Sequence, residues 1–196
     1  MAILSFPNIT PESFDFGIRY NTQVSTTTLS GITQTVELPG ARWAGSMSFR
    51  DLSPSDSAEL KAFLLELRGI SGRFFLGDIT HPSPFNTVTG TFNAEATSGI
   101  RTIDVTPSSG SFSVGDYIQV GNDDNRELKM VISESGSSPQ SLIIEPLMRR
   151  TDYDNKPVIY TNPTGVFLLE SDDLAKWSVR SKARLSDISI SFIEGY

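Results

Sequence analysis

Cysteine is absent from the 196 residues, so no disulfide framework and no thiolate metal site can hold this chain together. Histidine occurs once, at His81, which excludes a zinc centre built on several histidines of one chain. Positive charge is scarce. The 16 Lys and Arg stand against 23 Asp and Glu, giving a formal net charge of −7 and a pI near 4.7. That sign suits a poor grip on a phosphate backbone, and no specific nucleic-acid binding is expected. No stretch approaches the ~18 apolar residues of a membrane-spanning helix, so no membrane insertion is expected. The opening Met1-Ala2-Ile3-Leu4-Ser5-Phe6-Pro7 has neither a basic start nor a long apolar run. It does not read as a signal peptide, and the expectation is a soluble protein made in a cytoplasm.

What is present is globular. Apolar residues make up 38% and charged residues 20%, with 12 Phe among the aromatics, which sets the chain apart from disordered sequences. The length fits one large domain or two small ones and can bury a core without covalent staples.

The first fifty residues read as β. Val36 and Leu38 alternate with Thr35 and Glu37, and Pro39-Gly40 reads as a turn. Trp43, Gly45, Met47 and Phe49 then fall on one side of a strand and Ala44, Ser46, Ser48 and Arg50 on the other. Alternation of period two marks a half-buried strand. Ser25-Thr26-Thr27-Thr28-Leu29-Ser30 is polar and β-branched, as an exposed strand or hairpin arm would be.

One helix is predicted, from about 54 to 68. Ser53 is an N-cap residue type and Pro54 fits the first helical position. Asp56 faces the positive end of the helix dipole. Leu60, Phe63, Leu64 and Leu67 recur at i, i+3, i+4, i+7, one apolar stripe that should cover a sheet. Arg68 precedes Gly69, which can take the left-handed conformation that ends a helix.

Gly72-Arg73-Phe74-Phe75-Leu76-Gly77-Asp78 reads as a short strand and turn, and 79–90, with Pro82, Pro84 and Gly90, as a linker. From about 90 to 165 short strands crowd together: Thr102–Val105, Tyr117–Val120, Glu127–Ile132, Ser141–Ile144 and Pro157–Tyr160. That spacing predicts a small barrel with Leu128, Met130 and Ile132 facing its interior. Val166-Phe167-Leu168-Leu169 then reads as a buried strand, and Ile188, Ile190 and Phe192 alternate with polar neighbours in a last strand that should pair with the N-terminal sheet. The fold class is therefore mainly β: a sandwich- or barrel-like domain with one helix, built from 1–85 and 166–196, and a small β-barrel inserted at 86–165.

No constellation of catalytic residues stands out. His81 lies between Thr80 and Pro82, without a nucleophile elbow, and reads as a surface or turn histidine. Asp123-Asp124 and Asp152-x-Asp154-Asn155 resemble fragments of a calcium loop but lack the closing Glu, and Asp and Asn are ordinary turn residues. Glu66, Glu95, Glu145 and Glu170 could in principle supply paired carboxylates, but no spacing singles out a pair. The glycines match no phosphate-cradling pattern. Arg149-Arg150 is read as a salt-bridge or subunit contact. Trp43 shares parity with Met47 and Phe49 and reads as core, as by default does Trp177. No catalytic, cofactor-binding or metal-ligating residue is assigned, and the expectation is a protein that is not an enzyme.

Several phrases, in order, carry a resemblance. They are Trp43-Ala44-Gly45, the helix closing in Leu67-Arg68-Gly69, and Gly72-Arg73-Phe74-Phe75. Further on come Gly115-Asp116 before an apolar strand, Pro146-Leu147-Met148-Arg149, and Pro163-Thr164-Gly165-Val166-Phe167-Leu168-Leu169 followed by Trp177. Together these span most of 40–180 and resemble the distal tail, or tail hub, proteins of long, non-contractile-tailed bacteriophages. The resemblance implies a structural virion protein, assembled in the host cytoplasm, whose copies form a hexameric ring. Its implied partners are the tail tube protein on one side and the tip or baseplate hub on the other. Larger members carry a long C-terminal carbohydrate-binding-like domain, which these residues do not contain, so a connector role is expected. The alternative is a carbohydrate-binding module, with the inserted barrel recognising a host-surface glycan.

Overall fold

The computed structural model describes residues 2–81, 84–85, 88–90, 92–94, 99, 101–122, 124–136, 139–149, 156–174, 176–180 and 185–195. In chain order these form β1 (Leu4–Ser5), β2 (Ser13–Thr26), β3 (Thr33–Leu52), α1 (Pro54–Leu67), β4 (Phe74–Leu76), β5 (Phe92–Ala94) and β6 (Thr102–Val105). There follow β7 (Tyr117–Val120), β8 (Glu127–Gly136), β9 (Gln140–Glu145), β10 (Lys156–Ile159), β11 (Gly165–Leu169), β12 (Trp177–Arg180) and β13 (Leu185–Glu194). The protein is mainly β, with one α-helix among the described residues and two curled, half-barrel sheets.

The first sheet has the order β1-β4-β11-β13-β3-β2, with β12 added beside β13. Its strands come from both ends of the sequence. The alternation read in the sequence sets its faces: Trp43, Met47 and Phe49 on β3 and Ile188, Ile190 and Phe192 on β13 are buried, while their polar neighbours face outward. The two strands pair antiparallel, with Ile190 opposite Met47 and Phe192 opposite Gly45. Gly45 is required there. A Cβ on it would sit 2.2 Å from the Asp15 carbonyl oxygen and 2.8 Å from the Phe192 ring.

Helix α1 closes one side of the concave face. The Ser53 hydroxyl accepts a hydrogen bond from the Asp56 backbone N–H at 3.2 Å, satisfying one donor that the first turn leaves open. Leu60, Phe63, Leu64 and Leu67 are buried in one cluster with Phe74, Phe167 and Phe192. Each such side chain contributes about 1.5–3 kcal/mol of transfer free energy, so the stripe holds the helix more strongly than its cap. The helix ends one residue earlier than predicted. Arg68, at φ 52°, takes the left-handed position, and Gly69 follows at φ 71°. Gly69 still has its own reason to be glycine, because a Cβ would lie 2.1 Å from an Asp172 Oδ1 that accepts the Ile70 N–H at 2.9 Å.

The second sheet, ordered β5-β10-β7-β8-β9-β6, is drawn from Phe92 to Ile159. Its outer strands β5 and β6 approach each other, so it curls around a second core that includes Ile103, Phe112, Ile118, Val120, Val131, Leu142, Ile144 and Val158. Asp116 organises its entry. This fully buried carboxylate accepts the N–H groups of Phe85 at 2.7 Å and Ser113 at 2.8 Å.

Two expectations are corrected here. Leu128 and Met130 do not face the interior of the second sheet. Leu128 belongs to the first core, Met130 packs against it, and Ile132 is partly exposed. The inward residue of β8 is Val131. The reason is that β8 lies between the two cores and has no solvent face along Glu127–Val131, so alternation could not say which face was which. Pro39-Gly40 is also not a turn. It lies within β3 as a bulge, where pairing passes from Asn21 opposite Leu38 to Arg19 opposite Arg42. The chain reverses instead at Thr27–Ile32, closed by the Thr27 N–H to Ile32 carbonyl bond at 3.0 Å.

Candidate functional site

Strands β2 and β3 are far longer than the sheet they serve. Their first-sheet halves are partly buried, but every residue from Arg19 to Gly40 is exposed. The pair therefore leaves the body as a two-stranded arm, in register from Asn21–Leu38 to Thr26–Thr33. The predicted arm run Ser25–Ser30 sits at its outer end. Between Arg19 and Glu37 no residue carries charge. Tyr20, Val24, Leu29, Ile32 and Val36 are all more than half exposed, Leu29 completely. Strand β2 is also the outermost strand of its sheet, with its far edge unpaired by any described strand.

The root of the arm is anchored. Glu37 meets Arg101 at 3.4 Å, and Arg101 meets the nearly buried Glu145 at 3.3 Å. Beside it lies a junction of four charges, three of them buried and Arg149 14% exposed. Arg149 contacts Glu194 at 2.9 Å and donates to the Ala41 carbonyl. Lys129 pairs with Glu127 and donates to the Leu147 carbonyl at 3.0 Å. The Trp43 backbone N–H donates to Glu194 at 3.1 Å, and the Trp43 indole N–H to the Leu128 carbonyl at 2.8 Å. Burial pushes the Glu194 carboxyl up, against the pull of Arg149, Lys129 and the Trp43 N–H. Burial likewise pushes the Lys129 ammonium down, against Glu127 and Glu194. Two cations balance two anions, which is the condition for holding charge in a low-dielectric interior. The cluster ties the first sheet, through Ala41, Trp43 and Glu194, to the second, through Glu127, Lys129 and Arg149.

Arg149 makes the salt bridge expected of it, while Arg150 lies outside the described residues. His81 is in a turn, its N–H bonded to the Asp78 carbonyl at 3.3 Å, but it is not a surface residue. Its side chain is 15% exposed and stands edge-on to Phe85, with ring centroids 4.0 Å apart. Its Nε2 lies 3.8 Å from Asp116 and makes no hydrogen bond. Asp116 already accepts two backbone N–H groups, so it orders the loop rather than orienting a base. Glu66 is exposed, Glu145 is committed to Arg101, and Glu170 pairs with Arg19 at 2.7 Å. Those three do not converge, and Glu95 is outside the described residues. Asp124 is exposed in a turn, while Asp123, Asp152, Asp154 and Asn155 lie outside. Trp43 is core, as read. Trp177 is not: it sits 40% exposed on the edge strand β12, with the Lys61 ammonium 5.2 Å from its ring centroid.

Sequence reasoning missed the junction, since Lys129, Glu127 and Glu194 carry no local sign of burial. The arm it found only at its tip. No protein-family model and no curated protein matches the chain.

Proposed function

We propose that this chain is a structural, ring-forming component at the distal end of a bacteriophage tail, joining the tail tube to the tip or baseplate hub. The observation that carries the reading is the uncharged, fully exposed β2–β3 arm. A two-stranded ribbon alone in water is marginal, and exposed strand edges are normally blunted by charge or proline. From Tyr20 to Val36 this arm has neither. Its sequence suits cover by another chain. A contact between two different surfaces of identical copies propagates head to tail, and it closes as a ring when the rotation from copy to copy divides a full turn. The ordered phrases that resemble distal tail proteins support the setting and favour six copies.

Native mass measurement tests the assembly. The wild type is expected as a closed oligomer, six-fold by the resemblance. Replacing residues 23–36 by Asn-Gly, a two-residue hairpin turn between Thr22 and Glu37, is expected to give a folded monomer. A wild type that stays monomeric at high concentration, or a shortened chain that still closes rings, overturns the proposal. For location, a label on this protein is expected at the far end of the tail in electron micrographs. A label along the shaft or on the head would refute that part.

A further inference from the structure

A groove of about 710 Å³ opens at the root of the arm. Leu38, Pro39 and Ala41 of β3 form one wall, and Leu147 and Met148, after β9, form the other. Its charged rim is already spent: Glu37 on Arg101, Arg101 also on Glu145, and Arg149 on Glu194. An occupant entering between the two walls meets apolar side chains, where an unpaired charge would be costly. The arm tip has the matching chemistry. Leu29 is completely exposed, Ile32 is 60% exposed, and no charged residue lies near either along the chain.

We infer that this groove is the receptor for the arm tip of a second copy of the chain, with Leu29 and Ile32 as the inserted side chains. The inference rests on the ring reading above and names the contact that would close it. The tip cannot reach its own groove. The strands stay paired out to Thr26–Thr33, and Thr33 to Leu38 is five steps of about 3.4 Å, roughly 17 Å of extended strand. Tip and groove are different surfaces, so the contact is head-to-tail. The occupied groove would also brace the arm at its root, where Glu37 and Arg101 already hold it.

The cysteine-free chain allows a direct test. Leu29→Cys is made in one full-length preparation and Leu147→Cys in a second that carries a size tag. The two are mixed under assembly conditions and oxidised. The expected product on a non-reducing gel is a disulfide dimer of mixed size, in excess of either same-size dimer. Ring assembly by the wild type with no mixed-size dimer overturns the groove as receptor and leaves the ring standing. A monomeric wild type overturns both. As a second reading, Leu29→Asp is expected to weaken assembly at least tenfold in concentration while leaving the monomer's unfolding midpoint unchanged. Assembly at wild-type concentrations would overturn the inserted-tip contact.

Discussion

Tyr117 comes from one sheet and packs into the core of the other. It begins β7 of the second sheet, yet its ring lies 5.6 Å from that of Trp43 and 6.3 Å from that of Phe16 in the first. Its hydroxyl bonds to Asp78, and burial first, then the Asp78 charge, raise its pKa above the ordinary value of about 10. A raised pKa means that the folded protein keeps this proton after the unfolded chain has lost it. The stabilisation is then complete below pH 10 and lost as pH climbs beyond it. Tyr117→Phe should cost about 0.5–1.5 kcal/mol at pH 8 for the missing hydrogen bond. That gap between wild type and variant should shrink as pH rises past 10, because only the wild type has this proton to lose. Urea unfolding of both proteins at pH 8 and 10.5 measures it, and a constant gap would show that Tyr117 does not titrate differently on folding. Residues of this kind were half legible. The aromatic side chains of β3 announced their burial by alternation. Lys129, fully buried, did not, because a lysine reads as solvated until its counter-charges are known to be buried with it, and Glu194 lies on β13, far along the chain.

Among the elements, α1 was the most legible, since a helix is specified by residues close in sequence. The cap, the proline and the stripe all lie within fifteen positions. Ser53→Ala removes the side chain that accepts the Asp56 N–H and should cost about 0.5–2 kcal/mol. Ser53→Asp, which keeps an acceptor, should restore most of it. Chemical denaturation of the three proteins decides; equal midpoints would mean that solvent already serves the first turn. Strands were legible as strands, and the last was rightly expected to pair with the N-terminal sheet, but which face turned inward was not always readable. The boundaries of β6 and β7 follow directly from short runs in which apolar and polar residues alternate. The orientation of β8 does not, because with both faces covered a register of Leu128 and Met130 is as good as one of Lys129 and Val131. Pro39-Gly40 misled for a related reason: the pair has turn chemistry, but the turn is already supplied at Thr27–Ile32, with Gly31 at φ 66°, and the extra residues are absorbed as a bulge. The arm itself was the hardest to see. Nothing in a run of threonines and serines says whether a strand lies on a body or leaves it.

At the scale of the whole molecule, the question is what keeps two curled sheets, each with its own core, in one arrangement beneath a projecting arm. Apolar contact at Leu128 and Tyr117 supplies adhesion but little direction. The four-charge junction supplies direction, since Arg149 and Glu194 must meet at hydrogen-bond geometry with Ala41 and Trp43 at the base of the arm. Charge arithmetic gives the prediction. Wild type has Lys129 and Arg149 against Glu127 and Glu194, a sum of zero. Glu194→Gln leaves +1 and Arg149→Met leaves −1, each an uncompensated buried charge costing about 3–5 kcal/mol. The double variant returns to zero, with the Lys129–Glu127 pair intact. It should therefore be less destabilised than the sum of the singles by at least ~1.5 kcal/mol, the low end for close charge pairs. Equilibrium unfolding of the four proteins closes the cycle. If the two losses simply add, the junction is a set of independent contacts and the sheets take their orientation from packing alone. If the double variant recovers, balance of charge sets that orientation, and the same variant should assemble better than either single, because the arm it supports again points where a neighbouring copy can receive it.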